Sequence, residues 1–171
     1  FSSNQEKSIN LIPSLIDMYP TNPYYHEFLG EIYYFQGDYT KALKQQKTAM
    51  SILSKDSDLH LMMLGTYLLA ESSNESIIES IKVLNKSLFL NKYNSYSWYL
   101  LAKAYALSDN LPLAQYASAE RYYLNGDRPL ALEFAKKAIK NIDKNTVEWY
   151  RTNDLIELIL GIDEKDNKNR S

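Results

Sequence analysis

The residues able to do chemistry are few. His26 and His60 are the two histidines of a 171-residue chain that has no cysteine. His26-Glu27 opens as a His-Glu-x-x-His zinc helix would, a pattern that sets two imidazoles and a carboxylate base on one helical face. Position 30 is Gly30, so the second imidazole is missing and His26 reads as a packing residue. No acidic or histidine residue follows His60 four positions on, and it reads the same way. Asp56 and Asp58 are spaced like paired carboxylates, but they stand where a helix should start, and a helix cap is the simpler role. No Ser-His-Asp arrangement or glycine-rich phosphate loop is present. The pairs Tyr24-Tyr25, Tyr33-Tyr34 and Tyr122-Tyr123 would suit base stacking, yet no basic cluster surrounds them and the net charge is −2. That balance argues against a nucleic-acid partner. Lys136, Lys137, Lys140 and Lys144 crowd one helix end, where they complement the helix dipole. No catalytic and no metal-binding residue is assigned.

The elements that would carry these side chains are helices. Hydrophobic residues are 45% of the chain and aromatics 13%, which argues against disorder. No apolar run approaches the roughly 18–20 residues of a membrane span. The abundance of Tyr, Asn, Lys and Ile, with Lys well ahead of Arg, reads as nucleotide bias. Phe1 stands where a Met would open a gene, so the chain is expected to be a mature piece of a longer protein. Apolar residues recur three and four apart, as in Leu130, Phe134, Ala138 and Ile142, or Trp98, Leu101, Ala102 and Tyr105. Ser3 with Glu6 reads as a capping box. Asn22, Asp38, Asp56 or Ser57, Asn74, Asn94, Asn110, Asp127 and Asn145 are the further N-cap candidates. Gly37 and Gly126 are placed to end helices in the left-handed conformation. The pattern predicts about nine helices of about 14 to 17 residues and no strand.

The helices repeat. Leu29, Gly30 and Tyr33, followed by Gly37, Ala42 and Ala49, have the spacing of a tetratricopeptide repeat (TPR). Leu64, Gly65 and Leu68 follow 35 residues later, and Trp98, Leu101, Ala102, Tyr105 and Ala114 a further 37 on. Three residues beyond the usual 34 are expected in the turn Ser72-Ser73-Asn74-Glu75. Ala119, Tyr122, Gly126, Ala131 and Ala138 then repeat the pattern after only 17 residues. The helix near 111–124 is therefore expected to serve both as second helix of one repeat and first helix of the next. Small residues at fixed positions let neighbouring helices interlock, so Gly65 and Ala102 should be close-approach points. The fold expected is an all-α TPR solenoid of antiparallel helices forming one domain over 1–162. Its repeats are 23–55, 58–93, 95–126 and 112–143, its flanking helices 3–19 and 145–160, and 163–171 a disordered tail.

In such an array the first helices of successive pairs line a concave face. The register places Tyr24, Glu27, Glu31, Tyr34 and Phe35 there from the first repeat, and Leu59, Met62, Thr66 and Leu69 from the second. Tyr96, Tyr99, Lys103 and Leu107 follow from the third, and Leu113, Tyr116, Glu120 and Tyr123 from the shared helix. A surface rich in Tyr with some Met suits protein or peptide recognition. Co-chaperone TPRs that clamp a peptide carboxylate carry Lys and Asn at the first inner positions. Glu27 and Glu31 stand there instead, which disfavours such a ligand.

The run Asn22-Pro23-Tyr24-Tyr25-His26-Glu27-Phe28-Leu29-Gly30 with Phe35-Gln36-Gly37 resembles the start of the C-terminal TPR region of BepA/YfgC-like zinc metallopeptidases, periplasmic proteins of Gram-negative bacteria. The likeness continues through Ser97–Tyr105 and Ala117–Asp127. It implies a parent with a leader, a protease domain and this array. Zinc would belong to the protease domain's His-Glu-x-x-His helix, so no cofactor is expected in this chain. The implied partners are the parent's protease domain, substrate proteins and the outer-membrane assembly machinery, in outer-membrane protein quality control. The implied location is the periplasm. The alternative is a stand-alone TPR scaffold, with a cytoplasmic location.

Overall fold

The computed structural model describes the backbone of residues 3–168 and the side chains of residues 11–161. Nine helices are present among the described residues, and no strand. They are α1 (Ser3–Met18), α2 (Pro23–Phe35), α3 (Tyr39–Ile52), α4 (Asp58–Glu71), α5 (Asn74–Leu90), α6 (Ser95–Leu107), α7 (Leu111–Leu124), α8 (Arg128–Ala138) and α9 (Val147–Lys168). The chain divides into two compact units, one ending at Leu90 and the other beginning at Asn91.

Most helix starts follow the sequence. The side chains of Asn22, Asp38, Asn94, Asn110 and Asp127 each accept from a backbone N–H two or three residues on. One alternative is decided and two assignments shift by one residue. Ser57, not Asp56, caps α4; Asp56 instead pairs with Lys86. Ser73 rather than Asn74 accepts from Ser76 N at the start of α5. Thr146 rather than Asn145 accepts from Trp149 N at the start of α9. In each case a hydroxyl, which needs little room, takes the capping position beside the longer polar residue. The Ser3–Glu6 pair lies outside the described side chains.

Three turns share one construction. Gly37 (φ +79°), Asp109 (φ +58°) and Gly126 (φ +82°) are left-handed, and the next residue is the N-cap of the following helix. The N–H of Asp38, Asn110 and Asp127 each returns to a carbonyl five residues back, at 2.9 Å, which closes the preceding helix. The turn between α4 and α5 has Ser72 at φ +61° and only two residues. The three extra residues therefore do not enlarge that turn; they lengthen α5 to 17 residues against 14 in α3. One more helical turn absorbs them without breaking a hydrogen bond.

In the first unit α2 packs on α3, α3 on α4 and α4 on α5. Leu29, Ala42, Ala49, Leu61, Leu64, Tyr67, Leu68, Leu84 and Leu88 form its core. Gly65 is the closest approach: a Cβ there would lie 2.7 Å from Leu84 Cγ and Cδ2. Two buried polar side chains of this unit are satisfied between helices. Gln46 donates to the His60 carbonyl at 3.1 Å, and Ser87 donates to the Asp58 carbonyl at 2.8 Å.

In the second unit α7 packs against α6, α8 and α9. Ala114, Ala117 and Ala119 are buried on it, so small side chains on several faces let it join three neighbours. The 17-residue step in the sequence assigns this helix to two repeats. Ala131, Ala135, Leu155 and Ile159 complete the core. Ala102 is only half-buried and does not mark a close approach as Gly65 does. The last helix runs to Lys168, past residue 162 where a disordered tail was expected. A packed helix propagates readily through good helix formers such as Glu164 and Lys165. Residues 169–171 lie outside the described ones.

Candidate functional site

The first unit holds a cavity of about 600 Å³. Helix α2 contributes Tyr24, Glu27, Phe28 and Glu31, spaced by three and four so that they share one face. Helix α4 contributes Leu59, His60, Met63 and Tyr67, and Gln46 and Ser57 complete the lining. Asn22 and Pro23 start α2, and Ser57 starts α4. These caps fix where each helix begins, and so which residues turn inward.

Across the cavity His60 Nε2 meets the Glu27 carboxylate. His60 Nδ1 is buried without a hydrogen-bond partner, and so is the hydroxyl of Tyr67, a residue 0% exposed. Burial, and then the nearby charge of Glu31, push the Tyr67 phenol well above the ordinary tyrosine range. It stays a neutral hydroxyl at any physiological pH. Tyr24 and Phe28 stand at the rim, 67% and 51% exposed.

The candidates of the first repeats divide here. Tyr24, Glu27, Glu31 and Leu59 come together in the cavity. Tyr34 does not line it: its ring stacks on Tyr67 at 5.0 Å and meets Phe35 and Tyr39 edgewise or tilted, which makes it packing. Phe35 is exposed at the far end of α2, outside the cavity. Met62 and Thr66 also lie outside, the Thr66 hydroxyl donating to the Met62 carbonyl. The face of α4 that lines the cavity is one residue on, through His60, Met63 and Tyr67, a rotation of about 100°. His60, Phe28, Met63 and Tyr67 are thus the members that the sequence reading missed. His60 had a partner all along, but one whole repeat away in Glu27.

The second unit holds a cavity of about 330 Å³, lined among others by Lys92, Tyr93, Trp98, Glu120, Tyr123 and Arg151. Of the groove candidates, Glu120 and Tyr123 line it. Burial raises the Glu120 carboxyl above its ordinary value, while Arg151 and then Lys92 oppose the rise. Tyr116, expected on an open face, is buried instead. Its ring meets Trp98 edge-on at 5.4 Å, and its hydroxyl is hydrogen-bonded with Arg151. Tyr99 and Lys103 border a separate cavity of about 290 Å³ together with Ala102 and Phe134. Tyr96 and Tyr99 pack ring to ring at 5.7 Å, and the Arg121 guanidinium lies 4.8 Å from the Tyr99 ring centre.

The two histidines have separate partners. His26 is buried in α2 and bonds Gln45 Oε1 through Nδ1 at 2.8 Å. No group of three His, Cys, Asp or Glu side chains is arranged to hold a metal ion among the described residues. No helix among them is long and apolar enough to cross a membrane.

No protein-family model matches the chain, and no curated protein matches its sequence. Solved structures match its fold. MamA superposes with a TM-score of 0.63 at 16% identity, over 94% of this chain and 89% of MamA. YrrB, described as a TPR protein with an unusual peptide-binding site, gives 0.54 at 16% identity, over 87% of this chain and 83% of YrrB. TTC0263, a thermophilic TPR protein of Thermus thermophilus, gives 0.51 at 18% identity, over 88% and 90% of the two chains. With these hairpins and these structural relatives, the chain has an all-α fold of the TPR type.

Proposed function

We propose that this chain is a non-catalytic interaction domain that holds a partner protein or peptide against its first-helix faces. The observation that carries the reading is the cavity between α2 and α4. It is open to solvent, walled by exposed aromatic rings and floored by polar groups that the fold itself leaves unsatisfied. Rings of this kind give contact area at small entropic cost. YrrB, similar in fold, is described as a TPR protein with an unusual peptide-binding site, which supports a peptide-binding role here. The test is site-specific photocrosslinking from Phe28 and, as a control, from Lys140 in the second unit. Capture at Phe28 that Tyr24→Ala abolishes is expected. Equal capture at both positions would reject the reading.

At finer grain we propose that the domain is the accessory part of a periplasmic zinc metallopeptidase. The support is the likeness of Asn22–Gly30, Ser97–Tyr105 and Ala117–Asp127 to that family. On this reading zinc and the catalytic carboxylate sit in another domain, the partners include that domain and the outer-membrane assembly machinery, and the groove holds substrates in outer-membrane quality control. A stand-alone TPR scaffold fits the fold equally well. Reading the gene upstream of Phe1 decides between them. A His-Glu-x-x-His segment behind a leader supports the protease, and further repeats or a nearby start codon support the scaffold.

A further inference from the structure

We infer that the cavity between α2 and α4 is a receptor for an arginine side chain of a partner polypeptide. The inference rests on the interaction-domain reading and names what the cavity takes.

The charge balance is one-sided. Glu27 and Glu31 lie one helical turn apart on α2, and no Lys or Arg lines the cavity. Glu31 is solvent-exposed and forms no ion pair among the described residues. Glu27 meets only His60. An acidic pair alone would be an ordinary solvated face. The independent observation is Tyr67: wholly buried, it lines the cavity with a hydroxyl that nothing in the fold satisfies. A buried polar atom without a partner costs roughly 1–3 kcal/mol, so a fold that keeps one in a cavity wall favours a ligand that supplies the missing bond.

The shape of the site selects among cations. A guanidinium offers five N–H donors in a fixed plane. It can bridge two carboxylates and still donate to a phenolic oxygen, which a single ammonium point charge does less well. Its flat faces stack on aromatic rings, and Tyr24 and Phe28 present such rings at the rim. The three methylenes of the stem need apolar walls, which Leu59 and Met63 provide. A volume of about 600 Å³ also leaves room for the backbone on either side. The chemistry is therefore that of an arginine within a chain, not of the free amino acid, whose α-carboxylate would face Glu27 and Glu31.

The experiment is an amide-resolved NMR titration of the full 171-residue chain with acetyl-Leu-Arg-Leu-amide. The comparison ligands are the lysine peptide, the citrulline peptide and free L-arginine. Citrulline keeps the shape and removes the charge. The expected result is saturable shifts at Glu27, Glu31, His60 and Tyr67, at least tenfold weaker for the lysine peptide and absent for citrulline and for free arginine. Glu31→Gln, an exposed substitution that should not disturb folding, is expected to weaken the arginine peptide at least tenfold with an unchanged circular dichroism spectrum. Binding of the citrulline peptide as strongly as the arginine peptide would overturn the inference and leave the interaction-domain reading standing. Absence of any shift at these four residues at millimolar arginine peptide would overturn it as well. Failure of the Phe28 crosslink, by contrast, would remove the interaction reading itself.

Discussion

Asp109 occupies a place that two glycines fill elsewhere in the chain. Its φ of +58° compares with +79° at Gly37 and +82° at Gly126, and the hydrogen bonds around the three turns match. A left-handed residue with a Cβ carries a penalty of about 1–2 kcal/mol, partly relieved for Asp and Asn. No atom lies within 4 Å of a Cβ built at Gly37, so only this backbone penalty applies there. Gly37→Ala is therefore expected to lower unfolding free energy by about 1 kcal/mol in a urea titration, and Asp109→Gly to raise it by less. A loss on Asp109→Gly would mean that the Asp109 side chain holds the turn. Glu120 supplies a pH-dependent counterpart. Burial raises its folded-state value above that of the unfolded chain. Its contribution to stability is then greatest while it is protonated, below the ordinary glutamate range, and is lost as pH rises through the raised value. Glu120→Gln should thus be more stable than the parent near pH 7, and the gap should close toward pH 4. A gap that widens in acid would show that the Arg151 and Lys92 attraction outweighs burial.

At the scale of helices, the small residues carried most of the legible information. Gly30, Gly65, Ala42, Ala49, Ala114 and Ala131 recur at fixed steps because two helices cannot approach closely with larger side chains between them. The packing of α7 on several helices has the same cause, since its buried alanines face more than one neighbour. The site was less legible, because its members meet across a repeat. Glu27 and His60 are distant in sequence, and a one-residue error in helix phase exchanges Met62 for Met63 and hides Tyr67. Capping choices between adjacent polar residues, such as Asp56 and Ser57, depend on a few tenths of an ångström that composition does not encode. The close-approach logic also separates two substitutions that the repeat register treats alike. Gly65→Leu drives side-chain atoms into Leu84, which is fully buried and has nowhere to move, and should cost about 3 kcal/mol. Ala102→Leu faces a cavity of about 290 Å³ and should change stability by less than about 1 kcal/mol. Thermal melts of the two variants check this, and equal losses would show that the α6–α7 hairpin is as tightly set at Ala102 as α4–α5 is at Gly65.

For the whole molecule, fold and function separate. The same hairpins occur in MamA, YrrB and TTC0263 at 16–18% identity, a distance at which architecture persists while binding surfaces are rebuilt. What this chain does is therefore written in the residues its helices turn inward. The proposed recognition role makes a prediction about metal, because the two histidines have separate partners. A zinc site requires three or four ligands within about 2.0–2.3 Å of one point. Here His26 is tied to Gln45 of α3, while His60 of α4 is tied to Glu27. Recruiting both would mean unpacking His26 from the core, against a cost in buried contacts that a surface site would not recover. The chain dialysed against zinc and then against metal-free buffer is accordingly expected to retain well under one zinc per molecule by elemental analysis, and to cleave neither casein nor its own unfolded form. Retention of one zinc that His60→Ala releases would mean that the Glu27–His60 pair opens to a metal. The cavity would then have to be reassigned from ligand recognition to coordination.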